Sequence, residues 1–591
     1  MNNQADSNPI ATRTFSTRPP LRSFVDGKMR VDKNVAIEVE DGRIVMADVY
    51  RPDTTQQYPA VMCFTPYGKD IHFETKEPAV YARISMKNEY AVYEAPDILR
   101  WVADDYAVVI VDACGLGASP GVADVWSPRD IEDYAAAIEA IAVQPWCTGR
   151  VGLNGISYLS ATQIAVATHK PPHLTCMIPW EVGGDNYEMT YQEGMFNTFF
   201  VNSWFDAWIV PNQHGYGTLP PQELERMREN WPAKAIAHPF FDEFWAARTP
   251  DLSVIDVPFL TAANWTGSLL SLQQHFDLFC QSASKHKWLR AHIGGHIEPY
   301  YSEEGYAAQK KFMDFWLKDI QNGMMETSPL TLCVRRPGAI EWMEAKEWPL
   351  PQTQWVKWEL DAEAMSLSSD PVQGSATADL LAVPIEPPRL EKPAEDDSEH
   401  HAVHMNESVM QAYIKDGLSR PLQQSWNAVF TSKPLEDDLR LIGPVTVHLT
   451  VAASEGDADL FVCLRDIAPD GTEVVYDGLD NPETPLGLGW GRLSRRELDP
   501  DRMIDGSHRP VHWRDCEKAP APGETVSIDI AVGPTSAVFE KGHRLIIEVS
   551  TRDVFRSFPF FHVTPEHQRI GGEVKIKTGK GISWVELPVC P

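Results

Sequence analysis

Apolar residues between positions 35 and 112 come in short runs, at 35–39, 44–50, 60–64 and 106–112, separated by polar turns. The last run is almost continuous valine and isoleucine, the pattern of a strand buried on both faces of a sheet. From Ile131 to Ile141 the apolar positions recur with helical spacing instead. Apolar runs return at 174–180, 257–263 and 287–293, and a helix from about Tyr306 to Trp316 follows. This alternation predicts a mainly parallel sheet wrapped by helices. An aromatic-rich stretch from Asn186 to about Pro250 interrupts it and reads as inserted helices capping the sheet. Beyond Trp355 the pattern changes to short alternating strands, such as 445–451 and 544–550, which predict a β-sandwich. A polar, proline-containing segment from Pro371 to Asp397 reads as a long loop. The expected divisions are 1–34 as an N-terminal extension, 35–183 and 253–354 as the two parts of an α/β core, 184–252 as a helical cap, and 355–591 as a C-terminal β-sandwich.

One segment of the α/β core carries candidate chemistry. Residues 149–160 read as a short strand entering a tight turn with Ser157 at its apex. A glycine two positions earlier, Gly155, gives such a turn room, and the helix that follows aims its N-terminus at a substrate. Small apolar residues from Thr162 to Ala167, with no breaker before Pro171, suit a helix packed closely on the sheet. The usual G-x-S-x-G pattern has a small residue where this chain has Leu159.

A length of 591 residues exceeds one core and implies two or three domains. With 43% hydrophobic and 23% charged residues the composition is that of an ordinary globular protein. The net charge of -31 and pI near 5.0 disfavour nucleic acid and anionic membranes as partners. No secretory signal and no membrane-spanning stretch is visible. Nine cysteines without C-x-x-C spacing argue for reduced thiols rather than a disulfide framework or zinc site, and the cytoplasm is the expected compartment.

The elbow residues Gly155, Ser157 and Tyr158 resemble those of the cocaine-esterase-like and X-prolyl dipeptidyl peptidase hydrolases, whose elbow reads G-x-S-Y-x-G; Ser160 replaces the last glycine. The resemblance extends to strand motifs at 457–464 and 539–545 and so spans nearly the whole chain. It implies an α/β-hydrolase domain with an inserted cap followed by a jelly-roll, galactose-binding-like β-sandwich. A serine nucleophile needs a base, which in this fold follows the last sheet strand. His296, after Gly294-Gly295, is so placed, and the family's histidine lies at the matching point. The four-residue spacing of His292 and His296 would suit a helical metal pair, but the intervening glycines make a helix improbable, and no metal is expected.

The acid departs from the family. Where relatives carry Trp-Tyr-Asp, this chain reads Trp265-Thr266-Gly267. An acid can sit instead at the end of the neighbouring strand, which selects Glu181; Asp185 is the second candidate, and a Ser-His dyad or an inactive site are the others. Donors for a tetrahedral oxyanion are expected from the Tyr158 N–H and, by resemblance to the family's Pro-Tyr segment, from the Tyr67 hydroxyl. The glycine-rich run 112–121 lacks the helix start of a dinucleotide fingerprint, and Cys114 stands where the family has arginine. Glu399, His400, His401 and His404 read as solvated.

These residues predict a serine hydrolase acting on a small-molecule ester or amide with an apolar or aromatic acyl group, without cofactors. Ser157, His296 and Glu181 are the expected triad, and Tyr67 and Tyr158 the expected oxyanion hole. Trp180, Asp185, Trp204, Trp208 and Trp265 are the expected pocket, with Phe205, Phe240, Phe241 and Trp245 as further cap aromatics. A homo-oligomer is compatible with the sequence. An acyltransferase using the same intermediate and a binding protein on a decayed hydrolase scaffold are the alternatives.

Overall fold

The computed structural model describes residues 19–213, 219–267, 272–382, 424–479, 483–504, 507–553 and 568–591. Ten strands of the first part are β1 (Arg22–Asp26), β2 (Met29–Glu38), β3 (Ile44–Pro52), β4 (Tyr58–Thr65), β5 (Ala107–Asp112), β6 (Cys147–Ile156), β7 (Leu174–Trp180), β8 (Phe259–Asn264), β9 (Lys287–His292) and β10 (Leu330–Arg336). They lie side by side in the order β1-β2-β3-β5-β4-β6-β7-β8-β9-β10. The first three pair antiparallel and the rest run parallel, as βαβ crossovers require.

The valine and isoleucine side chains of β5 are fully buried, as their continuous run predicts. Helices α1 (Pro128–Ala142), α2 (Tyr158–Ala167), α3 (Leu272–Gln281) and α4 (Glu303–Lys318) cover the sheet. Packing of α4 on β6 is close: a Cβ added at Gly152 would come within 2.9 Å of Leu317 and Met313 side-chain atoms. The sheet starts earlier than the expected Val35, because Arg22–Asp26 and Met29–Glu38 form a hairpin on β3. β1 is an exposed edge strand and β2 mixes charged with apolar positions, which hid their pattern.

The inserted segment carries short helices at Asn186–Thr190, Thr198–Trp204, Pro221–Arg226, Trp231–Ala237 and Glu243–Ala246, with a two-residue hairpin, Tyr191–Gln192 against Met195–Phe196. The C-terminal strands build a sandwich. Leu439–Ala453 pairs with Thr525–Phe539, Glu573–Gly579 and Trp584–Val589. Asp459–Ile467 pairs with Gly487–Arg492 and Arg544–Ser550. Both sets contribute to one apolar core that includes Leu449, Val462, Ile530 and Ile547.

Part of the expected loop from Pro371 to Asp397 is instead a strand, Ser375–Leu381, paired antiparallel with Glu573–Gly579. Its inward residues are only Ala378 and Leu380, too weak a period-two signal to read. The rest of that loop from residue 383, with Glu399, His400, His401 and His404, lies outside the described residues. All nine cysteines are free thiols. Among the described residues, no helix is long and apolar enough to cross a membrane, and no three His, Cys, Asp or Glu side chains form a metal cluster.

Candidate active site

Ser157 stands at the carboxyl end of β6, in the middle of the sheet, where α2 begins. Its backbone is held at φ 59° and ψ −119°, a conformation ordinary residues avoid. Two hydrogen bonds fix it there: the Ser157 N–H donates to the carbonyls of Trp180 (3.0 Å) and Glu181 (2.8 Å). Gly155 has φ +154°, and a Cβ there would meet Leu159 Cβ at 2.7 Å, so the glycine makes room for the leucine that breaks the usual pattern. Ser160 takes the family's glycine position and is fully buried, its hydroxyl donating to the Val182 carbonyl at 2.8 Å. That bond holds the next strained stretch, where Glu181 and Val182 have φ 43° and 93°. Tyr158 is the first residue of α2, where a backbone N–H has no partner within the helix.

His296 follows β9 in a loop that the C-terminal unit holds. The His296 N–H donates to the Leu479 carbonyl at 2.7 Å, and Gly294 N–H to Asp477 at 3.2 Å. Its Nδ1 lies 2.9 Å from Oε2 of Glu181, at the end of β7. Glu181 is fully buried; its other oxygen accepts from Asn264 Nδ2 at 3.3 Å, and Asn264 also reaches the Gly294 carbonyl. Burial raises the Glu181 carboxyl to about 7, although its bond to His296 pulls the other way. His292 Nε2 is 3.3 Å from the same carboxylate, but burial lowers this histidine to about 3, so it stays neutral. Burial alone would lower His296; its bonds to Glu181 and to a second carboxyl, Glu94, raise it well above the usual value.

Glu94 is the residue that sequence reasoning missed. It precedes the short helix Ile98–Ala103, has φ 60°, and is buried. Its Oε1 lies 3.6 Å from His296 Nε2, and its carboxyl reaches the Ser157 hydroxyl. The Tyr67 hydroxyl reaches Ser157 from another side and accepts from Trp204 Nε1 at 3.2 Å. Burial pushes the Tyr67 phenol well above its ordinary pKa, so it remains an O–H donor. The surrounding wall is aromatic. Trp208 stacks on Tyr93 at 5.1 Å, and Trp204 lies parallel to Tyr158 at 6.1 Å. Lys76 Nζ sits over the Trp208 ring at 5.0 Å, its pKa lowered to about 8 by burial.

Three expected pocket residues stand elsewhere. Trp180 points behind the histidines, packing on His292 and Tyr300 as fully buried core. Trp265 belongs to a separate cluster with Phe276 and Trp348. Asp185 caps the helix Asn186–Thr190 through the Glu188 N–H and pairs with Arg514 at 2.5 Å, away from His296. It lies near a cavity of about 120 Å³, between cap and sandwich, whose walls include Tyr187, Glu188, Gln274, Trp490 and Arg502 and neither Ser157 nor His296. Of the other cap aromatics, Trp245 packs inside the cap on Tyr187 and Trp231. The glycine-rich run 112–121 wraps the Asp112 carboxylate, which accepts from the N–H groups of Lys69 and Ala118 (2.7 Å each).

A strained serine turn on a doubly covered parallel sheet, beside a buried histidine and carboxylate, defines a serine hydrolase of the α/β-hydrolase class. Residues 41–298 match the model of the X-Pro dipeptidyl-peptidase (S15) family, and residues 322–567 match that of the X-Pro dipeptidyl-peptidase C-terminal non-catalytic domain. The cocaine esterase of Rhodococcus sp. (strain MB1 Bresler) is 24% identical, over 89% of this chain and 92% of its own. An Xaa-Pro dipeptidyl-peptidase of Lactobacillus helveticus (strain DPC 4571) is 22% identical, over 56% of this chain and 49% of its own. The solved structure of a CocE/NonD family hydrolase from Staphylococcus aureus superposes with a TM-score of 0.81 at 27% identity, covering 97% of both chains. The chain belongs to the cocaine-esterase-like and X-prolyl dipeptidyl peptidase family of α/β-hydrolases.

Proposed function

We propose that the protein cleaves an ester or amide of a small apolar or aromatic acyl group through an acyl-enzyme on Ser157. The observation that carries the reading is His296, its Nδ1 on the Glu181 carboxylate and its Nε2 3.6 Å from the Glu94 carboxyl, a group that also interacts with Ser157. His296 Nε2 takes the Ser157 proton as Oγ attacks the carbonyl carbon, and then gives a proton back as acid. Glu181 fixes the tautomer that leaves Nε2 free and stabilises the imidazolium. The tetrahedral oxyanion is met by the Tyr158 N–H at the start of α2 and by the Tyr67 O–H, each donor worth roughly 3 to 4 kcal/mol. Collapse expels the leaving group, and water repeats the sequence to release the acid. Trp204, Trp208 and Tyr93 offer an apolar wall to the acyl group. Cocaine and Xaa-Pro dipeptidyl amides, the substrates in the names of the relatives, are the first to try.

Treatment with a fluorophosphonate, which reacts with serines activated by a working base, followed by peptide mapping tests the reading. Stoichiometric addition to the Ser157 peptide, lost in Ser157→Ala, is the expected result; folded protein that takes up no probe overturns it.

A further inference from the structure

His296 is flanked by carboxyls at both nitrogens, and the triad uses only one. Glu94 is not a carboxylate neutralised in place. Among the described residues its one ion-pair contact is His296, and its Oε2 is buried without a hydrogen-bond partner. An ionised carboxylate so placed costs several kcal/mol. Its position is nevertheless built: the Glu94 carbonyl accepts the Ile156 N–H at 3.1 Å, tying its loop to the residue before the nucleophile. Its Oε1 stands 3.6 Å from His296 Nε2, and the carboxyl also interacts with the Ser157 hydroxyl, so it neighbours both groups between which protons move. An ionised Glu94 beside Tyr67 would repel the oxyanion; a protonated one would not, and it holds a proton within reach of any atom that approaches His296 Nε2.

We propose that Glu94 is a second acid–base residue of this site, protonating the departing oxygen or nitrogen during acylation and recovering that proton from water during deacylation. The inference rests on Ser157 being the nucleophile. In acylation the Ser157 Oγ–carbon bond forms and the carbon–leaving-group bond breaks. In place of a single shuttle by His296, the serine proton stays on His296 Nε2 through acylation and the Glu94 proton goes to the leaving atom, leaving imidazolium and carboxylate. In deacylation the water oxygen bonds the carbonyl carbon as the bond to Oγ breaks. One water proton restores the Glu94 carboxyl, and His296 returns its proton to Oγ. Each carboxyl then has its own work, Glu181 orienting the base and Glu94 supplying a proton, as their separate environments allow.

A series of esters of one acyl group, with leaving groups from p-nitrophenol to ethanol, tests this in native protein and in Glu94→Gln, which keeps size and hydrogen bonding but has no proton to give. The expected loss in kcat/KM grows along the series, from about threefold for p-nitrophenyl to about 100-fold for ethyl, the scale of general acid catalysis. A uniform loss along the series, or one that follows a charge on the acyl group, overturns the proposal. Native protein gives a check that needs no variant. The groups facing Glu94 are His296, Ser157, Tyr93, Tyr67, Tyr301 and, farther off, Lys76. As pH rises and the Glu94 carboxyl loses its proton, ethyl ester cleavage should fall while p-nitrophenyl ester cleavage does not; coincident profiles overturn the proposal. Fluorophosphonate labelling of native Ser157 separates the two levels: its absence sinks the nucleophile itself, and where labelling occurs the leaving-group series decides the role of Glu94.

Discussion

His296 is pulled two ways, by burial that favours neutral imidazole and by carboxyls that favour imidazolium, Glu181 foremost and Glu94 only when it is ionised, and the carboxyls win. A base must be neutral to accept a proton, so activity should rise with pH through a value above the 6.5 of an ordinary histidine. Replacing Glu181 by Gln removes the larger of the two pulls. The acid limb of kcat/KM should then move to lower pH, while the plateau drops toward the roughly 10⁴-fold loss known for a serine protease triad without its aspartate. A pH–rate profile reads both, and an unmoved limb would mean that Glu181 does not control the base. Glu181 could be named from the sequence as a candidate beside the histidine because a carboxylate ending the strand beside the nucleophile's strand has few places to point, and Gly267 left its usual rival empty. Asn264, which steadies Glu181, was hidden in the strand before that glycine. Glu94 was hidden altogether, since it lies 63 positions before Ser157 (157 less 94) in a loop with no repeat or spacing to mark it.

The elbow joins β6 to a helix that is buried on nearly every side, including Tyr158, Leu159, Ser160 and Gln163. Such an element tolerates no extra atom at its entrance. Gly155→Ala must place a Cβ 2.7 Å from Leu159 Cβ at a φ of +154°, so the loss should exceed the 1–3 kcal/mol typical of overpacking. Gly581→Ala, at φ +68° with nothing within 4 Å, is the control that carries backbone strain alone. Thermal unfolding of the pair should show Gly155→Ala lower in Tm; equal values would show the turn to be slack. At this scale the strands that are continuous in valine and isoleucine read plainly, because burial on both faces leaves no polar position to blur them. Ser375–Leu381 did not, because alternating alanine and threonine looks the same in a strand as in a loop.

Across the whole molecule, charge that sums to -31 is arranged so that the sandwich offers cations to the carboxylates of the first part. Arg514 meets Asp185, Arg502 meets Glu188, Arg509 meets Asp277 and His512 meets Glu193. Arg514→Met should cost about 1–3 kcal/mol, the scale for removing one partner of a partly buried, hydrogen-bonded pair, measured as a fall in the midpoint of denaturant unfolding. A midpoint unchanged from native would show the pair to be idle. The sequence announced two architectures along one chain but not what passes between them, because contacts between distant segments leave no local period. The Leu479 carbonyl that receives the His296 N–H is the clearest case, 183 positions away from it (479 less 296). A shortened gene ending at the first architecture would still spell out serine, acid and histidine, yet its product would lack the clamp that sets the imidazole in place. The second half of this chain, however little chemistry it performs, is thus part of what makes the first half an enzyme rather than a string of the right residues.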